Sequence, residues 1–211
     1  MDADGDIAGR VQRGLFDRGR ANHIGVATQE ENSVTHWKPG DAKRRTDAMI
    51  RVNQAGEYGA SRIYAGQLAV MGDRGPIARK IAGMAVQEER HRIFFDKMMA
   101  ERGVRPTLFQ PIWDVAGFAL GAVTAAMGPE AAMACTVAVE TEIDNHYSEQ
   151  LAQLGDSDPA LSSAIADFQA DEVEHRETAL ASGAESAPAY PLMAGAIRLG
   201  CRLAIATAKR I

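Results

Sequence analysis

A 211-residue chain with a hydrophobic share of 46% holds enough apolar material for one well-packed domain, which excludes wholesale disorder. A formal net charge of −5 leaves no domain-wide excess of Lys and Arg to neutralise phosphates, so nucleic acid is excluded as a partner. Two cysteines, Cys135 and Cys201, are too few for a disulfide framework and wrongly spaced for a zinc knuckle or redox pair. They read as small buried side chains in a reducing compartment.

The first 45 residues are poor in periodic apolar positions and read as a loosely ordered arm ending in Lys43, Arg44 and Arg45. Its start carries acids from the second residue, unlike either a signal peptide or an Arg/Ser-rich transit peptide. A peripheral position on the cytoplasmic face of a membrane is therefore expected, the inner membrane of a bacterium, or the matrix face of the mitochondrial inner membrane if a leader has been removed. Residues 46–211 read as one helical domain. Thr46 and Asp47 supply a cap and an acid for a first helix to about Met71, which Gly72, Asp73 and Gly75 end. Pro76 opens a second helix to about Glu101, because proline suits a first turn whose N–H would be unpaired anyway. A third, apolar helix is expected between Thr107 and Met127, with Pro111 in its first turns. Pro129 opens a fourth to about Leu154. Pro159, behind Ser157 and Asp158, opens a fifth to about Ala181. Pro188 or Pro191 opens the last. No segment alternates with period two for long enough to form a strand, so the expected fold is all-α, a bundle of long helices.

One pattern recurs. Glu88-Glu89-Arg90-His91 and Glu172-Val173-Glu174-His175 are both Glu-x-x-His, and each is preceded on an earlier helix by a lone Glu, Glu57 and Glu140 respectively. Residues i and i+3 share one helix face about a turn apart, so a Glu and a His so spaced can reach one metal centre. Each Glu of Glu-x-x-His can bridge two ions, each His can cap one, and each lone Glu completes one side. Four buried carboxylates without counter-ions would be very costly, and two divalent cations cancel their charge. A mixed oxygen and imidazole set favours a redox transition metal over magnesium or calcium, and the lack of cysteine ligands disfavours structural zinc. A Glu-x-x-His on a charged helix is weak alone, and Glu89, Arg90, Glu174 and Arg176 mark solvated faces. The Val-Ala-Val run before Glu140 places that carboxylate among apolar neighbours.

The segments Arg51–Ala60 (RVNQAGEYGA), Arg62–Gln67 (RIYAGQ), Arg105–Thr107, Gly117–Ala122 (GFALGA) and Ala132–Glu140 (AMACTVAVE) resemble the demethoxyubiquinone hydroxylase family of ubiquinone biosynthesis. The resemblance extends over nearly all of the chain after Thr46, including Ala187–Tyr190 and Gly200–Arg202. It implies a ferritin-like four-helix core with two additional helices. It also implies a di-iron monooxygenase that uses O2 to hydroxylate the ring of a polyprenyl methoxybenzoquinol. Glu57, Glu88, His91, Glu140, Glu172 and His175 fall on the family's metal ligands. Electrons to return the centre to its reduced state would come from NADH, which the resemblance suggests, or from the quinol itself, and the resemblance also suggests a lipid-presenting partner protein. The chain has no Gly-x-Gly-x-x-Gly fingerprint for a dinucleotide.

Two residues beyond the ligands stand out. Tyr147, seven positions after Glu140, returns near the ligand face, while His146 points partly aside. Both are candidates for tuning the centre or relaying electrons, against ordinary packing; Tyr58 and Tyr64 read as packing residues. The uncharged run Val115–Pro129, with Phe109, Ile112, Trp113, Phe118 and Leu120 around it, is shorter than the ~20 residues needed to span a bilayer. It suits a helix bedded in a membrane surface, or a core or homo-oligomer contact. The last helix mixes Leu192, Met193, Ile197 and Leu203 with Arg198, Arg202, Lys209 and Arg210, which suits an anionic lipid surface. Two rivals remain at this point: an iron-storage ferroxidase, and a membrane-peripheral scaffold whose carboxylates serve only structure.

Overall fold

A computed structural model of the chain describes residues 42–72 and 75–210, and the greater part of the expected N-terminal arm lies outside them. Six α-helices follow in order: α1 (Ala42–Met71), α2 (Pro76–Arg102), α3 (Gln110–Ala126), α4 (Pro129–Leu154), α5 (Pro159–Ala181) and α6 (Tyr190–Ala208). A 3-10 turn, Ala184–Ser186, precedes α6. No strand occurs among the described residues. The helix starts follow the prolines, with Pro76, Pro111, Pro129, Pro159 and Pro191 each in a first turn. The expected start of α1 is corrected: the helix runs through the basic triplet and begins at Ala42, so Thr46 lies inside it. Arg and Lys are good helix formers, and no residue there interrupts the run. At the same end of the bundle, Asp158 caps α5 by accepting from the Leu161 N–H at 3.2 Å. The same carboxylate pairs with Arg102, which ties the start of α5 to the end of α2.

Helices α1, α2, α4 and α5 form the four-helix core, a ferritin-like bundle. The short links α1–α2 and α4–α5 make each pair antiparallel neighbours. Helix α3 is the crossover. It climbs beside α1 in the same direction, so that α4 starts at the far end and descends antiparallel to α1. The contact of α3 with α1 is backbone against backbone. A Cβ on Gly121 would sit 1.9 Å from the Ile63 carbonyl oxygen, and one on Gly66 would sit 2.1 Å from that of Phe118. Gly117 and Gly121 are four residues apart, which puts both on the face that meets α1. Arg62 and Tyr58 of α1 bind Asp114 of α3 at 2.6 and 2.9 Å.

Helix α6 packs on α4. Its Ile197 joins Cys135, Ala138 and Val139 of α4, Ile63 of α1 and Leu120 of α3 in one apolar cluster. Trp113 of α3 and Ile205 and Ala208 of α6 share a second cluster with Val52 and Ala55 of α1. Both outer helices therefore cover the same α1–α4 side of the bundle. Their outward faces remain apolar: Ile112, Val115 and Val123 on α3, and Leu192, Leu199 and Leu203 on α6, are all more than half exposed. Arg198 and Arg202 do not stand free for lipid as their sequence pattern suggested. Both bind Glu142 of α4, at 2.6 and 2.8 Å, and their pull holds that carboxyl below its ordinary range.

Gly121→Ala should lower stability by about 1–3 kcal/mol through overpacking against α1. Gly83→Ala, on an open helix face, should raise it by up to about 1 kcal/mol. Urea unfolding of the two variants checks both signs.

Candidate metal centre

The six expected ligands come from four helices: Glu57 from α1, Glu88 and His91 from α2, Glu140 from α4, and Glu172 and His175 from α5. All six are at most 2% exposed. They fall into two overlapping groups whose ligand atoms lie within 4.8 Å of one another, Glu57–Glu88–His91–Glu172 and Glu88–Glu140–Glu172–His175. Glu88 and Glu172 belong to both. The two halves of the sequence repeat therefore aim at one place.

Which atoms are engaged, and which are not, gives the centre its chemistry. Both oxygens of Glu88 and both of Glu172 lack a hydrogen-bond partner, so each of these shared carboxylates could offer one oxygen to each donor group. Each outer carboxylate has one oxygen engaged: Tyr147 donates to Glu57 Oε1, and Tyr64 donates to Glu140 Oε1 at 2.6 Å. Their Oε2 atoms have no partner. Each imidazole has its Nε2 engaged, His91 with Asp171 at 2.9 Å and His175 with the Gln87 amide oxygen at 2.8 Å. Both Nδ1 atoms are unpartnered and face carboxylates, His91 at 3.3 Å from Glu172 and His175 at 3.2 Å from Glu88. Buried polar atoms are ordinarily satisfied, so such a cluster needs an explanation. Two cations would supply it. Each position is offered four donors: one oxygen from each bridging Glu, one from an outer Glu, and one imidazole nitrogen. The residues fit a pair of divalent transition-metal ions.

Electrostatics agree. Burial, then the charges of neighbouring carboxylates, drive the Glu88 and Glu140 carboxyls well above their ordinary range. Burial likewise raises Glu172, to about 7. For His91 burial is the largest influence and opposes the charged form, but the facing Glu172 and Glu57 together outweigh it and lift the group to about 10. His175 is lowered by burial. Without metal, the cluster holds protons where a filled site would hold cations.

Tyr147 thus lies against Glu57, one of the expected ligands, as its spacing suggested. His146 does not. It faces Gln150 at 2.6 Å, and Gln150 pairs with the Asn53 amide. Its ring edges a surface pocket with Arg202, Lys209 and Arg210, and burial pushes it down to about 4. Tyr64 is the residue the packing reading missed. It stands seven positions after Glu57, as Tyr147 stands seven after Glu140. Each tyrosine crosses to the Glu of the other half. Tyr58, by contrast, turns outward to Asp114.

Comparison with known proteins agrees with this geometry. Residues 44–208 match the family model described as Ubiquinone biosynthesis protein COQ7. The chain belongs to the COQ7 family. A Rhodospirillum rubrum relative named 3-demethoxyubiquinol 3-hydroxylase is 50% identical over 175 residues, 82% of each chain. A Mus musculus relative, named NADPH-dependent 3-demethoxyubiquinone 3-hydroxylase, mitochondrial, is 49% identical over 78% of this chain and 77% of its own. The Homo sapiens protein of the same name is 46% identical, covering 81% and 80%. As a COQ7-family member the chain is an enzyme, a hydroxylase, and its all-helical fold accords with that family.

A group whose folded-state pKa is raised stabilises the fold below its unfolded pKa, and that contribution is lost as pH rises through the folded value. Glu172 therefore costs the metal-free protein stability between about 4.5 and about 7, with Glu88 and Glu140 adding in the same sense. Cations reverse this by holding the carboxylates ionised. Added Fe(II) or Mn(II) should thus raise Tm more at pH about 7.5 than at about 5, which anaerobic calorimetry at the two pH values checks.

Proposed function

We propose that this chain hydroxylates the ring of a demethoxyubiquinol in ubiquinone biosynthesis, with O2 as co-substrate and two iron ions held by Glu57, Glu88, His91, Glu140, Glu172 and His175. The observation that carries the reading is the pattern of free donor atoms, four to each metal position with two shared carboxylates, in a COQ7-family chain. Two irons there would supply the redox chemistry that activates O2 for insertion of one oxygen atom into the ring.

The chain's own groups set the conditions. Tyr147 and Tyr64 each hold one oxygen of an outer carboxylate, so that Glu57 and Glu140 present the other inward. Burial, followed by the charges of the carboxylates they serve, raises both phenols well above their ordinary value, so they stay protonated as donors. Asp171 and Gln87 fix the imidazoles with Nδ1 inward. The apolar packing of α4 keeps water from the centre, which strengthens every interaction there. Two electrons must come from outside. NADH is the donor the sequence resemblance suggests, and the mouse and human relatives are named NADPH-dependent. A reduced nicotinamide is the reading for this chain, bound without a dinucleotide fold.

The substrate carries a long isoprenoid tail, and the exposed apolar faces of α3 and α6 suit a membrane surface. Among the described residues, Tyr190–Ala208 is the one helix long and apolar enough to cross a bilayer. Its arginines are bound to Glu142 along the side of the bundle, which favours attachment on the surface over spanning. A lipid-presenting partner and a homo-oligomer are compatible with the same faces.

Glu57→Ala and Glu140→Gln should each abolish ring hydroxylation while leaving the helical circular dichroism largely intact. A strain relying on either variant should accumulate demethoxyubiquinone, and anaerobically purified wild type should carry about two irons per chain. Full turnover in both variants would refute the assignment. Replacing Leu199 and Leu203 together by Glu should weaken binding to lipid vesicles at least about tenfold, since each buried leucine contributes about 1.5–3 kcal/mol; vesicle co-sedimentation reads this.

A further inference from the structure

The Glu-x-x-His repeat extends one residue further than the ligands. Gln87 precedes Glu88, and Asp171 precedes Glu172. Each of these residues reaches across the α2–α5 contact to the imidazole of the other half: Asp171 Oδ2 lies 2.9 Å from His91 Nε2, and Gln87 Oε1 lies 2.8 Å from His175 Nε2. The latch is reciprocal in geometry and unequal in chemistry. His91 donates to a carboxylate, His175 to a neutral amide. Arg90 donates to the same Asp171 oxygen at 2.5 Å, which anchors that carboxylate against the ring. A carboxylate behind an imidazole makes it a stronger electron donor than an amide does, and such outer partners typically change metal affinity about 10- to 100-fold.

We propose that the two metal positions are inequivalent: the Glu57–His91 position, backed by Asp171, fills before the Glu140–His175 position, backed by Gln87. The ligand sets are otherwise matched, one outer Glu held by a tyrosine and two shared carboxylates at each. The difference in outer partners therefore decides the order. Asp171 is a positioning residue here, acting through His91. The inference rests on the di-metal reading above.

The test is anaerobic titration of the metal-free full chain with Mn(II), following unbound ion by electron paramagnetic resonance. Wild type should take up two ions in steps separated by about 10-fold or more. Asp171→Asn, which keeps shape and hydrogen-bond acceptor, should weaken the first step by about 10- to 100-fold and bring the two together. Gln87→Glu should tighten the second step instead. Glu57→Gln should remove the tight step and Glu140→Gln the weak one. Two equal steps in wild type, or an Asp171→Asn titration that superimposes on it, would overturn the inequivalence while leaving the di-metal centre standing. No uptake of ion in any form would overturn both.

Discussion

Four carboxylates share one dry space in this molecule, and the fold is arranged around making that tolerable. Ionised and uncompensated, they would repel one another in a medium that screens poorly. Protonated, they leave lone pairs unmet. The side chains around them do not relieve the problem. They prepare it for cations, by engaging one atom of each outer Glu and each His and leaving the inward atom bare. Raised carboxyls at Glu88, Glu140 and Glu172 are the metal-free expression of that arrangement.

The bundle reaches this through two antiparallel helix contacts with opposite duties. Where α1 meets α4, tyrosines clasp the outer carboxylates, and the Asn53–Gln150 amide pair continues the same contact away from the metals. Where α2 meets α5, Asp171 and Gln87 clasp the imidazoles. Each clasp runs from one half of the repeat to the other. The halves therefore position each other's expected ligands, and loosening either contact would disturb both donor groups.

Much of this was legible in the residues, and the limits have physical causes. Prolines in first turns fixed the helix starts, since each position is one a proline favours. The meeting of the six Glu and His residues in one buried cluster followed from i, i+3 spacing and its recurrence. The start of α1 was misplaced because a run of cations reads as a loose tail when tertiary neighbours are unknown. Tyr64 was missed because one tyrosine at one spacing is unremarkable; only the matching step from Glu140 to Tyr147 makes it a signal. Arg198 and Arg202 resembled lipid-facing charges because Glu142, their partner, sits 56 and 60 residues earlier in the chain. The glycine seam between α1 and α3 leaves no hydropathy trace, since what matters there is the missing Cβ.

Because α3 and α6 both lie over the α1–α4 side, the centre has two unlike neighbourhoods. Beyond the tyrosines and outer carboxylates stand α3 and α6, whose outward faces are apolar. Behind the imidazoles stand Asp171 and Arg90, the latter 62% exposed, in touch with bulk water. A reaction that joins an insoluble ring to small ions and protons needs both shores. In this bundle the buried Glu/His cluster lies between them, with the apolar outer helices on one side and the exposed Arg90 on the other.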